Sequence, residues 1–298
     1  MVPDVLSAVR QAVPRLSATE ARIAQVVIDH PERVVDLTIS ELAAVCDSSQ
    51  ATIARFCQSI GFTGYREFRL AIAAATSREQ AARERFELTE SEVDPADSVQ
   101  EVVAKIAYQD ALAIEQTARE LDLDALDRVV AAIVGAGRID LYGVGSSSLT
   151  AQDLQQKLSR IGLTAFCSVD SHLALASAAL QKPGNVAIGF SHSGETLETT
   201  HALAVAHAAG ATTVAITNFP ESSISRASDH VLTTQARESL YRSGAMSSRI
   251  AQLALVDFLF VRVAQQMYDQ MTESLRLTYE AVRSQRPVRP ERSERSER

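Results

Sequence analysis

The 298-residue chain has no tryptophan, three cysteines, eight prolines and twelve glycines, and only 5% of it is aromatic. With 46% hydrophobic and 22% charged residues, it is neither a collagen-like repeat, a disordered chain nor a disulfide-rich mini-fold. Cys46, Cys57 and Cys167 are too few and too scattered for a disulfide framework or a structural zinc site, and no metal or other cofactor is expected. No uncharged apolar run approaches the roughly 20 residues of a membrane span. The start, MVPDVLSAVRQ, carries an acid early and lacks a basic stretch followed by an apolar one, so it does not read as a signal peptide. A soluble, cytoplasmic protein with no membrane partner is the expectation. An excess of positive charge is missing too: the net charge is −8, which argues against a generic polyanion binder. Residues 1–78 hold eight arginines and eight acids, so the whole deficit falls on the rest of the chain.

At about 150 residues per domain, the length suggests two domains. The first 77 residues read as short helices. Ser17-Ala18-Thr19-Glu20 and Thr38-Ile39-Ser40-Glu41 are capping boxes, each opening an amphipathic helix. Asp47-Ser48-Ser49 breaks the second of these, Ser49 caps a helix from Gln50 to Ile60, and Tyr65 to Ala75 forms another. Residues 78–97 are charged, contain Pro95 and read as a linker. Beyond them, strands expected over residues 138–144, 163–169, 186–190, 213–217 and 230–233 alternate with amphipathic helices, the pattern of a doubly wound parallel sheet. The polar, repetitive tail over residues 286–298 reads as disordered.

Two helices joined by Asp47-Ser48-Ser49, with Leu42, Val45, Ile53 and Phe56 on facing sides, match a helix-turn-helix. The second helix exposes Ser49, Gln50, Thr52 and Arg55. Gln reads adenine and Arg reads guanine through paired hydrogen bonds, and Ser or Thr can meet phosphate or base. Arg66 and Arg69 on the next helix could hold the DNA backbone. Cys46 and Cys57 fall on apolar faces and read as core. The competing reading is a helical interaction module whose polar residues are merely solvated. The segment TISELAAVCDSSQATIARFCQSIGFTGYREFRLAIA resembles the N-terminal domain of the RpiR family of bacterial transcription regulators, through SELA (40–43), SQATIARFCQSIGF (49–62) and GYREFRLAIA (64–73). One departure is Asp47-Ser48, where Gly-Val is usual.

Two further loops carry chemistry. Gly143-Val144-Gly145-Ser146-Ser147-Ser148 and Ser191-His192-Ser193-Gly194-Glu195-Thr196 each follow a strand and open a helix. Free backbone N–H groups and a helix N-terminus suit an anionic phosphate. With no Lys or Arg in either loop, the expected bond is neutral and moderate, suited to a reversible sensor. One alternative is a dinucleotide site, with Ser148 in place of a third glycine and Asp170 closing the next strand. Another is aldose–ketose isomerisation, for which Glu195, Glu198, Glu238, His192 and His201 are the candidate acids and bases. An enzyme, however, gains nothing obvious from a helix-turn-helix in front, and no catalytic residue is assigned.

The runs LYGVGSSSLTAQDLQQKLSRIG (141–162) and GFSHSGETLETTHALAVAHAAGATTVAITN (189–218) resemble the SIS, or sugar isomerase, domain over residues 125–270. The resemblance implies that Ser147, Ser191, Ser193 and Thr196 bind the phosphate of a phosphosugar, with Ser146 and Gly194 beside them and Glu238 meeting the sugar. The two resemblances together imply an N-terminal all-α helix-turn-helix domain (1–77) and a C-terminal α/β SIS domain (98–285) with a doubly wound, mainly parallel five-stranded sheet flanked by helices. They imply a regulator, a repressor of sugar or amino-sugar genes, that binds a palindromic double-stranded DNA operator as a homodimer or homotetramer and answers to a phosphorylated sugar. The apolar stretch AQLALVDFLFVRVA (251–264) is a candidate for subunit contact or for a core helix.

Overall fold

The computed structural model describes residues 4–86, 88, 92–238 and 246–283; the tail expected to be disordered lies outside them. The N-terminal helices are α1 (Val5–Ala12), α2 (Ala18–Asp29), α3 (Pro31–Asp36), α4 (Ile39–Val45), α5 (Gln50–Ser59) and α6 (Tyr65–Arg85), with a 3-10 turn at Val13–Arg15. Both expected capping boxes form. Ser17 N–H donates to Glu20 Oε2 at 3.0 Å, and Thr38 N–H to Glu41 Oε2 at 2.7 Å. Leu6, Val9, Ile23, Val27, Leu42, Ile53, Phe56, Phe68 and Ile72 close one apolar core, where Phe56 and Phe68 meet edge to face at 5.9 Å. Cys46 and Cys57 are buried in it, and burial pushes the Cys57 thiol up to about 12.

Two features differ from expectation. Helix α1 was not singled out in the sequence, although Asp4 caps it by accepting from Ser7 N–H and Val5, Leu6 and Val9 are buried in the core. Helix α6 runs on to Arg85, so residues 78–85, expected to begin a linker, are helical. The stretch after Ala75 holds no Gly or Pro and is rich in Ala, Arg, Glu and Gln, all good helix formers.

The remainder begins with α7 (Val99–Glu120) and α8 (Leu123–Val134) and continues β1 (Ile139–Gly143), α9 (Ser146–Arg160), β2 (Ala165–Ser168), α10 (Ser171–Ala179), β3 (Val186–Phe190), α11 (Leu197–Ala208), β4 (Thr212–Thr217), α12 (Ser223–Arg226), β5 (His230–Thr233), α13 (Ser247–Gln266) and α14 (Tyr268–Arg283). Among the described residues the five strands form one parallel sheet in the order β2-β1-β3-β4-β5. Strand side chains alternate by size as well as direction. Val186, Ile188 and Phe190 point into the large core with α8, α9 and α13, while Ala187 faces the smaller core of α10 and α11. Gly189 lets α11 close in: a Cβ there would lie 3.1 Å from Leu203. Helix α13 packs into the large core through Ala251, Leu255, Val256, Leu259 and Val263, so the 251–264 stretch is a core helix. Among the described residues no single helix is long and apolar enough to cross a membrane.

Candidate nucleic-acid interface and ligand pocket

Helices α4 and α5 meet at a tight turn in which Asp47 takes φ +46°, the left-handed region where glycine is usual. Asp is one of the few other residues that tolerate it, which explains how the turn keeps its shape with Asp in glycine's place. Ser49 caps α5, accepting from Thr52 N–H at 3.2 Å, and its hydroxyl lies 2.9 Å from that of Thr52. Arg55 Nη2 donates to Thr52 Oγ1 at 3.2 Å, and Gln50 Nε2 donates across to Ser40 Oγ of α4 at 2.9 Å. Ser49, Thr52 and Arg55 thus form a hydrogen-bonded polar strip on α5, with Ser49 and Arg55 exposed and Thr52 half-buried, and exposed Gln50 stands beside it, tied to α4. Arg69 reaches the Leu37 carbonyl ahead of α4 at 3.4 Å, and Arg66 lies exposed one turn before it on α6. Sequence reasoning missed Arg22: from α2 its guanidinium reaches the Asp47 carbonyl at 3.4 Å, bringing another exposed cation to the turn.

The two serine loops come together for a topological reason. Strand β1 sends its chain one way across the sheet to β2, and β3 sends its chain the other way to β4. The gap between β1 and β3 is therefore the switch point where open α/β sheets hold ligands. Gly143 is paired with Phe190, so both loops leave adjacent strands at one level. Gly143 is held close to the first turn of α9, where a Cβ would come within 2.9 Å of the Ser147 carbonyl. The helix itself starts at Ser146, inside the stretch through Ser148 expected to be loop, so Ser146 and Ser147 present first-turn N–H groups that have no acceptor within the helix.

In the second loop Ser191 Oγ accepts from Gly194 N–H at 3.0 Å and lies 2.9 Å from Thr196 Oγ1, while Ser193 Oγ accepts from Glu195 N–H at 3.2 Å. Gly194 sits at φ +69°, and a Cβ there would fall 2.0 Å from Ser222 Oγ. Glu238 joins the two loops. Its Oε1 accepts from Ser248 N–H at 2.8 Å. One turn further along α13, Gln252 donates to Ser147 Oγ at 3.3 Å. On the other side Glu238 attracts His192, whose pKa burial holds below the ordinary imidazole value. Among the described residues three buried polar atoms here have no hydrogen-bond partner: Glu238 Oε2, Ser248 Oγ and His192 Nδ1.

All the residues singled out for a phosphosugar (Ser146, Ser147, Ser191, Ser193, Gly194, Thr196 and Glu238) thus lie at one end of the sheet. Missed were Ser248 and Gln252, each 1% exposed. Their signal was present as polar residues four apart, in line with the apolar Leu255, Val256, Leu259 and Val263 that α13 buries. Other candidates are engaged elsewhere. Glu195 accepts from Ser223 N–H (2.9 Å) and Oγ (2.6 Å), which hold its carboxyl below the usual range. Asp170, the candidate ribose acid, caps α10 through Leu173 N–H at 2.9 Å. Glu198 and His201 are exposed on α11. Among the described residues no group of His, Cys, Asp or Glu is placed to hold a metal ion.

Comparison with known proteins agrees with both halves. A profile described as the helix-turn-helix domain of the rpiR family matches residues 4–79, and one for the SIS domain matches residues 132–262. An uncharacterized HTH-type transcriptional regulator of Caldanaerobacter subterraneus subsp. tengcongensis is 37% identical over 279 residues, 94% of this chain and 97% of that protein. A bifunctional protein glk of Paraburkholderia xenovorans is 32% identical over 265 residues, 87% of this chain but 40% of its own length. Among solved structures, the Vibrio vulnificus NanR protein complexed with ManNAc-6P superposes with a TM-score of 0.59 at 28% identity, covering 93% of this chain and 98% of that one. The chain belongs to the rpiR family of helix-turn-helix transcriptional regulators, with a SIS domain behind its helical N-terminal region.

Proposed function

We propose that this regulator binds a double-stranded, palindromic DNA operator through α5 and represses genes of sugar or amino-sugar metabolism until a phosphosugar occupies its SIS domain. Residues 1–77 act as the reader, 78–97 as the connection and 98–285 as the sensor. Ser49, Gln50, Thr52 and Arg55 face the groove, while Arg66 and Arg69 hold the backbone. The sugar phosphate lies against Ser146, Ser147, Ser191, Ser193, Gly194 and Thr196, and Glu238 meets its hydroxyls. A two-fold operator is read by a two-fold protein, so a homodimer or homotetramer is the working form. It acts in the cytoplasm, where chromosomal DNA and phosphorylated sugars are both available.

One observation supports the reading: two hydroxyl-rich loops without Lys or Arg lie side by side at the sheet's switch point, next to Glu238 Oε2, Ser248 Oγ and His192 Nδ1, which have no partner among the described residues. A buried polar atom left unpaired costs about 1–3 kcal/mol, and the hydroxyls of a bound sugar would satisfy all three. The relative bound to ManNAc-6P supports an amino-sugar phosphate as the effector class.

Two variants test this. Arg55→Ala should abolish binding to the protein's own promoter region while leaving thermal stabilisation by phosphosugars intact; loss of both means misfolding. Ser191→Ala with Ser193→Ala should keep DNA binding and remove its response to a panel of hexose and amino-sugar phosphates. A normal response in that double variant places the pocket elsewhere. An isomerase would instead use His192 and Glu238 on a carbon-bound proton. Solvent isotope exchange into the same phosphosugars, absent in the regulator, distinguishes the two.

A further inference from the structure

A cleft of about 780 Å³ opens between the helical N-terminal region and the end of the sheet that carries the second serine loop. His192 and Phe219 form part of its wall, and Arg10 of α1, Arg83 of α6 and Arg237 after β5 line it from three separate parts of the chain. Arg83 Nε and Arg237 Nε and Nη2 are buried without hydrogen-bond partners among the described residues. Arg10 forms no hydrogen bond or close ion pair among the described residues; burial and the neighbouring Arg237 pull its pKa down to about 9, against the more distant carboxyl groups of Glu79, Asp4 and Glu120.

The acids nearby do not neutralise this cluster. Glu79 meets Arg237 through a single contact at 3.4 Å, on Nη1, and leaves the other two nitrogens unpaired. Asp29 is held by Gln25 at 2.8 Å, Glu238 Oε1 by Ser248, Asp4 by Arg78 at 3.2 Å and Glu120 by the Asp4 N–H at 3.2 Å, and Glu32 and Glu92 are exposed. Three guanidinium groups kept partly desolvated and short of acceptors cost stability, and a planar anion with two oxygens is the chemistry that repays such a fork.

We propose that this cleft holds a second acidic group of the effector, a carboxylate, so that the ligand is a sugar acid phosphate whose far end is gripped by arginines of both the DNA-reading region and the sensor. The proposal rests on the serine loops being the phosphate site. It makes the DNA-reading region part of the effector pocket, and the carboxylate end becomes the portion of the ligand that senses where α1 and α6 lie.

Calorimetric titration of the full-length protein with glucitol 6-phosphate and 6-phosphogluconate, open chains that differ at C1 by an alcohol or a carboxylate, separates the outcomes. The acid should bind about tenfold more tightly, as expected for one added charge-assisted pair. Arg10→Met and Arg83→Gln should each erase that difference and leave affinity for the alcohol unchanged. Arg10→Met should also melt no lower than the parent without ligand, since it removes a half-buried cation that makes no hydrogen bond among the described residues; a purely structural arginine would lower the melting temperature. Equal affinity of the two ligands, or a preference that survives Arg10→Met, overturns the carboxylate site alone. Failure of both ligands to bind, or undiminished binding of both by Ser191→Ala with Ser193→Ala, overturns the phosphate reading and this proposal with it.

Discussion

Gln11 and Asn218 connect the two halves of the molecule: the Gln11 side-chain amide donates to the Asn218 carbonyl at 3.4 Å, and also to Gln235 Oε1 at 3.3 Å. Asn218 in turn donates its own N–H to the His192 carbonyl at 3.0 Å, inside the second serine loop. A movement of that loop therefore reaches α1 in two hydrogen bonds. Gln11→Ala should leave operator affinity and phosphosugar affinity each within about twofold while shrinking the effect of one on the other, a coupling that typically amounts to 1–3 kcal/mol. Anisotropy titrations of labelled operator, with and without sugar, measure it. An unchanged coupling rules out this route.

The turn at Asp47 offers a gain. Its φ of +46° is strained for any residue with a Cβ, and Arg22 holds it through the backbone carbonyl, which any residue supplies. Asp47→Gly should stabilise the N-terminal region by up to about 1 kcal/mol and tighten DNA binding, most at low salt, because an acid is removed beside α5. Urea unfolding and a salt series on operator affinity read both effects. A loss of stability would show that the Asp side chain does more than tolerate the bend.

Gly194 admits no side chain. With φ +69° and Ser222 Oγ 2.0 Å from the would-be Cβ, Gly194→Ala should cost about 2–4 kcal/mol and cancel the sugar response. Adding Ser222→Gly should recover part of the melting temperature, since it removes the clash but not the strained φ. No recovery would mean that the backbone angle alone sets the penalty.

A pH dependence is built in where α1 meets α7. Burial, with the Asp4 carboxylate beside it, pushes Glu120 up to about 7, although Asp4 N–H donates to it at 3.2 Å. The folded protein then keeps a proton that the unfolded chain releases in the ordinary carboxylate range. Stability from this group is fully present at low pH and is lost as pH rises toward and through 7. Glu120→Gln should match the parent at about pH 4 and below and exceed it at about pH 8, in denaturant midpoints taken across that range. Curves that stay parallel would mean that the site is not titrating there.

Much of this was readable from the chain, and the remainder has physical reasons for being hidden. Strands such as Val186–Phe190 and His230–Thr233 stand out because short apolar runs bounded by turn residues have few other folds open to them. The serine loops were visible because phosphate chemistry needs N–H groups and hydroxyls in consecutive positions. The true start of α9 was not: Ser146-Ser147-Ser148 has no apolar period, and it becomes helical only because Gly143 and Gly145 turn it onto the sheet edge. Helix α14 was missed as well, although Met271 and Leu275, one turn apart on it, pack against the large core. The arginine cleft could not be seen at all. Residues 10, 83 and 237 share no motif, and only the packing of α1 and α6 against the end of the sheet makes them neighbours.

Helix α6 spans 21 residues without a break, a rod of about 30 Å, with Arg66 and Arg69 near one end and Arg83 near the other. A rod transmits angle rather than push. Tilting its Arg83 end by about 5° would swing the opposite end by roughly 3 Å over that length. Hydrogen bonds to base edges tolerate only a few tenths of an ångström, so a small rearrangement at one extremity is enough to put a pair of half-sites out of register at the other.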